Sequence, residues 1–75
     1  MRNKQLGQVK YQLNRLKGIE LKDIIIDRRK GTVKVGNDVV AKFDDDDDIT
    51  YEGLAMEVKA DVEEYMKGWL SRRSK

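Results

Sequence analysis

The sequence contains no cysteine and no histidine. Disulfides, thiolate zinc sites, cysteine nucleophiles and histidine-based triads are excluded with them. Proline is absent too, and there is no internal repeat. Hydroxyl side chains other than tyrosine are limited to Thr32, Thr50, Ser71 and Ser74, and none has a recognisable base beside it. No catalytic, metal or cofactor motif stands out, so the expectation is a protein that is not an enzyme and carries no cofactor. The aliphatic run Ile24-Ile25-Ile26 is far too short to span a bilayer, and the N-terminal stretch lacks a hydrophobic signal segment. The expected location is the cytoplasm, in keeping with the reducing environment that a cysteine-free chain suits.

What is present is charge. Charged residues make up 40% of the 75, yet the net charge is only +2. The signs are segregated along the chain. Residues 1–17 hold five bases and no acid, whereas Asp44 to Asp48 are five acids in a row. Such polarity says more about partners than the net value does.

Apolar periodicity gives the elements. In residues 4–17, Leu6, Val9, Leu13 and Leu16 repeat at three and four, which is a helical stripe, and Gly18 stands where a helix ends. Residues 19–43 read as a three-stranded antiparallel meander. Ile19 to Asp27 is the first strand, its three isoleucines pointing to burial on both faces. Thr32 to Val35 is the second, and Val39 to Phe43 the third, with Val39, Ala41 and Phe43 on one face. Gly36-Asn37 is a two-residue hairpin signal. Residues 44–48 read as an acidic linker, with Asp48 or Thr50 capping a helix over residues 49–73. Tyr51, Ala55, Val58, Val62, Tyr65 and Trp69 form its core stripe, widened by Leu54, Met66 and Leu70. The expected fold is one small α+β domain: a helix, the meander, and a long C-terminal helix packed on the sheet.

Two candidate surfaces of opposite sign follow. The first joins Asp44, Asp45, Asp46, Asp47 and Asp48 to Glu57, Asp61 and Glu64, which recur at helical spacing. A capping and solubilising role for the Asp run is its plain reading. As a contact surface it would meet a protein partner with a basic site, because arginine and lysine clusters bind carboxylates as they bind phosphates. A calcium loop is disfavoured, since the alternating ligands, the glycine and the final glutamate of that pattern are missing. The second surface is basic and would meet nucleic acid: Lys4, Tyr11 and Arg15 on the first helix, the Arg28-Arg29-Lys30 turn, and Lys34. A further option is a homo-oligomer in which the narrow first-helix stripe packs on its own copy.

The order helix–strand–strand–strand–helix resembles the double-stranded-RNA-binding domain in topology. That family grips phosphates with a basic cluster at the start of its second helix. Asp44 to Asp48 and Glu52 occupy that place here, so its function does not carry over. In size, layout and acidic character the chain also resembles small phage-encoded host-inhibitor proteins, anti-CRISPR proteins among them. That resemblance implies an inhibitor that occupies a nucleic-acid-binding or other basic site on its partner.

Overall fold

A computed structural model describes the backbone of residues 2–46 and 48–73, and the side chains of residues 4–46 and 48–68. Helix α1 spans Arg2–Lys17. Its stripe buries Leu6, Val9 and Leu13 completely, and Gly18 ends it at φ 68°. Only glycine takes that angle without steric cost. Leu16, last in the stripe, has turned outward and is 43% exposed. A 3-10 turn at Leu21–Asp23 follows, then strands β1 (Ile24–Asp27), β2 (Thr32–Val35), β3 (Asp38–Phe43) and β4 (Ile49–Tyr51). The sheet order is β1-β2-β3-β4, each neighbouring pair antiparallel. A 3-10 segment, Gly53–Val58, leads into helix α2 over Lys59–Arg73.

The architecture is α+β as expected, with a fourth strand in place of the first turns of a longer C-terminal helix. Ile49-Thr50-Tyr51 is β-branched and aromatic, and its alternation suits a strand: Tyr51 is buried and Thr50 exposed. The acidic run is therefore a hairpin loop between β3 and β4, not a linker to a helix. Nor do Asp48 or Thr50 cap one. Glu52 precedes the 3-10 segment and makes no side-chain capping bond. The stripe residues Ala55 and Val58 are buried from that 3-10 segment, where a spacing of three repeats the same face, and Val62 from α2. Met66 joins them, whereas Leu54 is 39% exposed. Trp69 and Leu70 lie outside the described side chains.

Two further expectations are corrected. The first strand is four residues long and lies at the edge of the sheet. Ile24 is buried, but Ile25 points to the other face and is 52% exposed. A helical layer covers one face only, so the isoleucine run is not buried on both sides. In β3, the register slips between Val33, opposite Ala41, and Lys34, opposite Val39. Val40 is the extra residue of a β-bulge. Val40 and Ala41 are both buried, and Val39 is turned toward the outer face.

The core lies between the sheet and one layer formed by α1, the 3-10 segment and α2. It comprises Leu6, Val9, Leu13, Ile24, Val33, Val40, Ala41, Phe43, Tyr51, Ala55, Val58, Val62 and Met66. Leu6, Val9 and Leu13 of the α1 stripe are consumed in this layer and are not free to pair with a copy of the chain; Leu16 alone of the stripe is exposed. The two helices run antiparallel: Lys17 at the end of α1 pairs with Glu57, while Lys4 near its start lies 5.8 Å from the ring centre of Tyr65.

The Gly36-Asn37 hairpin signal is realised, with Val35 opposite Asp38 and Gly36 at φ 62°. A β-carbon at Gly36 would meet no atom within 4 Å, so a larger residue is opposed by backbone strain alone. Gly36→Val is expected to cost about 1–2 kcal/mol, and Gly36→Asn much less. Equal urea midpoints for the two variants would show that the strain is not there.

Candidate functional site

The register brings the two charged loops to the same end of the sheet. The β1–β2 turn is Arg28-Arg29-Lys30-Gly31, and the β3–β4 loop is the Asp run. The Phe43 amide donates to the Gly31 carbonyl at 2.9 Å, which makes the two loops neighbours. Their centres are separated by two strand spacings, about 10 Å. No ion pair joins them among the described residues.

Each loop is shaped by one aspartate. Asp27 Oδ1 accepts the amides of Arg29 at 3.1 Å and Lys30 at 3.0 Å. The Lys30 amide foremost holds the Asp27 carboxyl below its ordinary value; loss of hydration, the next-largest effect, opposes it, and the Arg29 amide and the positive charge of both side chains add to the lowering. Asp44 does the same in the acidic loop. Its Oδ1 accepts the amides of Asp46 at 2.8 Å and Asp48 at 3.0 Å, and its own amide donates to the Asp48 carbonyl at 2.9 Å. This side-chain-to-amide turn is what aspartate at the head of a loop supplies. Asp45, Asp46 and Asp48 are exposed. Asp47 lies outside the described residues.

The other acids of the proposed surface are elsewhere. β4 carries the chain away from the acidic loop, and Glu57 is engaged with Lys17 of α1. Asp61 and Glu64 are exposed on α2, in the helical layer. Glu64 borders a groove between α1 and α2 that Gln5, Ala60, Glu63, Met66 and Lys67 complete. The structure thus gathers Asp44, Asp45, Asp46 and Asp48 in one loop and separates Glu57 from them.

The basic set is divided as well. Arg28, Arg29 and Lys30 are exposed in the turn and Lys34 is exposed on the outer face of the sheet, whereas Lys4, Tyr11 and Arg15 sit on α1 in the helical layer. Tyr11 is 53% exposed. Arg15 donates to Gln12 Oε1 at 3.2 Å, and Gln12 donates to Gln8 at 3.1 Å, so Arg15 is tied along its own helix. Lys42, Thr32 and Thr50 share the outer face with Lys34. Strict period-two reading of β2 and β3 contained that signal, apart from the bulge.

Tyr51 is the one buried phenol of the region. Burial pushes its hydroxyl above the ordinary value and Glu63 adds to the effect, while the Gln5 amide, donating at 3.1 Å, opposes it. Its ring faces Lys59 Nζ at 5.8 Å from the centroid. It reads as a core residue with a satisfied hydroxyl.

Among the described residues, no cluster of three carboxylates is arranged to hold a metal ion, and no helix is long and apolar enough to cross a membrane. Comparison with known families, with characterised proteins and with solved structures finds no match.

The Asp27 turn yields a pH test. A carboxyl whose value is depressed on folding contributes stability above its unfolded value, and that contribution fades as pH falls through the folded one. Parent stability is therefore expected to decline below the ordinary aspartate range, and Asp27→Asn to decline less over the same interval. Superimposable acid limbs in urea titrations of the two proteins would remove Asp27 from the account.

Proposed function

We propose that the chain is a non-enzymatic protein-binding module that acts in the cytoplasm by presenting its acidic hairpin loop to a basic site on a partner. The observation that carries this reading is the division of labour in the Asp run. One aspartate, Asp44, makes the hydrogen bonds that shape the loop, and Asp45, Asp46 and Asp48 project from it exposed. Adjacent carboxylates repel, so folding alone favours fewer of them. A loop held in shape at the end of a sheet presents these charges at little further cost in ordering. Glu57 is exposed but its charge is paired with Lys17, and Asp61 and Glu64 remain as outlying acids on α2. An inhibitor of the phage-encoded, anti-CRISPR-like kind would use such a loop to occupy a nucleic-acid-binding or other basic site.

The second reading, a nucleic-acid-binding protein, draws on the exposed Arg28-Arg29-Lys30 turn and Lys34. The neighbouring acidic loop weighs against it. A phosphate backbone following the cationic turn would run beside the Asp run, with loop centres about 10 Å apart, close to the Debye length of about 8 Å at physiological salt.

Changing Asp45, Asp46 and Asp48 to Asn tests the proposal. The partner captured by the parent from a host lysate is expected to be lost. In kinetics with that purified partner the association rate should fall most, with a steep salt dependence in the parent, because rim charges act chiefly by steering. Undiminished capture by the triple variant would reduce the Asp run to a solubilising loop.

A further inference from the structure

Helix α1 and the 3-10 segment pack on one face of the sheet with α2 against them, and the other face carries no described helix, although Thr32 on it is buried. The register fixes what that open face displays. One row across the strands is Ile25, Lys34 and Val39, and the next is Asp27, Thr32, Lys42 and Thr50. An outward face of polar residues is ordinary for an antiparallel sheet. This one departs from that pattern in carrying exposed aliphatic surface beside its charges. Lys34 is flanked in its row by two aliphatic side chains, and Ile25 is 52% exposed. Lys34 and Lys42 have no ion pair among the described residues, as is also true of Arg28, Arg29 and Lys30 in the adjoining turn. Asp27, in the second row, is committed to the turn amides. Beside Lys42 the surface dips into a groove of about 500 Å³ lined by Thr32, Val39, Ala41, Lys42, Thr50 and Glu52.

We infer that this open face docks an acidic polypeptide segment of a partner, its carboxylates on Lys34 and Lys42 and its apolar side chains against Ile25 and Val39. Charge complementarity selects that occupant. The two unpaired lysines face outward from the middle strands, and the cationic turn extends the same sign to the edge. A nucleic acid fits less well, because the face has no aromatic side chain on which a base could stack and the Asp run stands at the end nearest Lys42. A second copy laid face to face would set lysines against lysines. The inference is independent of the acidic-loop contact, since it uses none of its residues.

A synthetic amphipathic helical peptide with Glu and Leu on one face is the probe. In amide chemical-shift titrations, the changes are expected on Ile25, Lys34, Val39, Lys42 and Thr50. Lys34→Glu with Lys42→Glu should weaken binding by roughly tenfold or more. The exposed Ile25→Ser should weaken it at unchanged charge, which covers the case in which the double reversal does not fold. Asp45, Asp46 and Asp48 changed to Asn should leave it equal or tighter. Three results would overturn the inference: shifts confined to the helical layer or the acidic loop, equal binding of single-stranded DNA, or concentration-dependent shifts on the open face without peptide.

Discussion

Burial on one face of the sheet is the constraint from which the rest follows. A chain of 75 residues can build one small core. Here that core lies between the four strands and a single helical layer. The bulge at Val40 serves it directly, turning both Val40 and Ala41 inward from a strand that would otherwise alternate. Gly53, at φ 55° with a β-carbon position 4.0 Å from Val40 Cγ1, lets the chain leave the sheet close against that bulge and enter the 3-10 segment. Ala55, Val58, Val62 and Met66 are committed to this layer, and no described helix lies on the far side. The open face and the loop end of the sheet are what the molecule has left to offer a partner.

Charge is then distributed around a core that does not use it. The ion pairs Lys17–Glu57, Lys59–Glu63 and Lys22–Glu20 lie in the helical layer and the first connection, between exposed or partly exposed side chains. Pairs of this kind contribute about 0–1 kcal/mol each. The two aspartates that shape hairpins act differently, as local acceptors for backbone amides that a tight loop leaves unpaired. Both occur where a strand gives way to its loop, and the charged residues that follow them, Arg28, Arg29 and Lys30 in one loop and Asp45, Asp46 and Asp48 in the other, are exposed.

The sequence revealed most where one residue decides the conformation. Gly18 and Gly36 marked a helix end and a hairpin, and each adopts the left-handed backbone that those positions require. The α1 stripe was legible because 3.6-residue periodicity is local. The fourth strand was not. Tyr51, Ala55 and Val58 fall at spacings of four and three whether they lie on one helix or are divided between a strand end and a 3-10 segment on the same core face. Five aspartates also argue against a strand, but a hairpin loop is solvated and tolerates them. The bulge was equally hidden, since nothing in Asp38 to Phe43 announces which residue will be doubled. For the site, the residue types were legible and their neighbourhood was not. That the cationic turn and the Asp run adjoin, and that Glu57 is drawn to Lys17, depends on strand register and helix packing between residues distant in sequence.

The central claim is that one acid of the run builds the loop and the others are surplus to folding. Urea unfolding of two variants tests it most directly. Asp44→Ala removes the acceptor of two amides and is expected to cost about 1 kcal/mol. Asp45, Asp46 and Asp48 changed together to Asn are expected to leave stability unchanged or raise it, because repulsion is relieved and the Asp44 bonds persist. A loss in the triple variant as large as that in Asp44→Ala would contradict the claim.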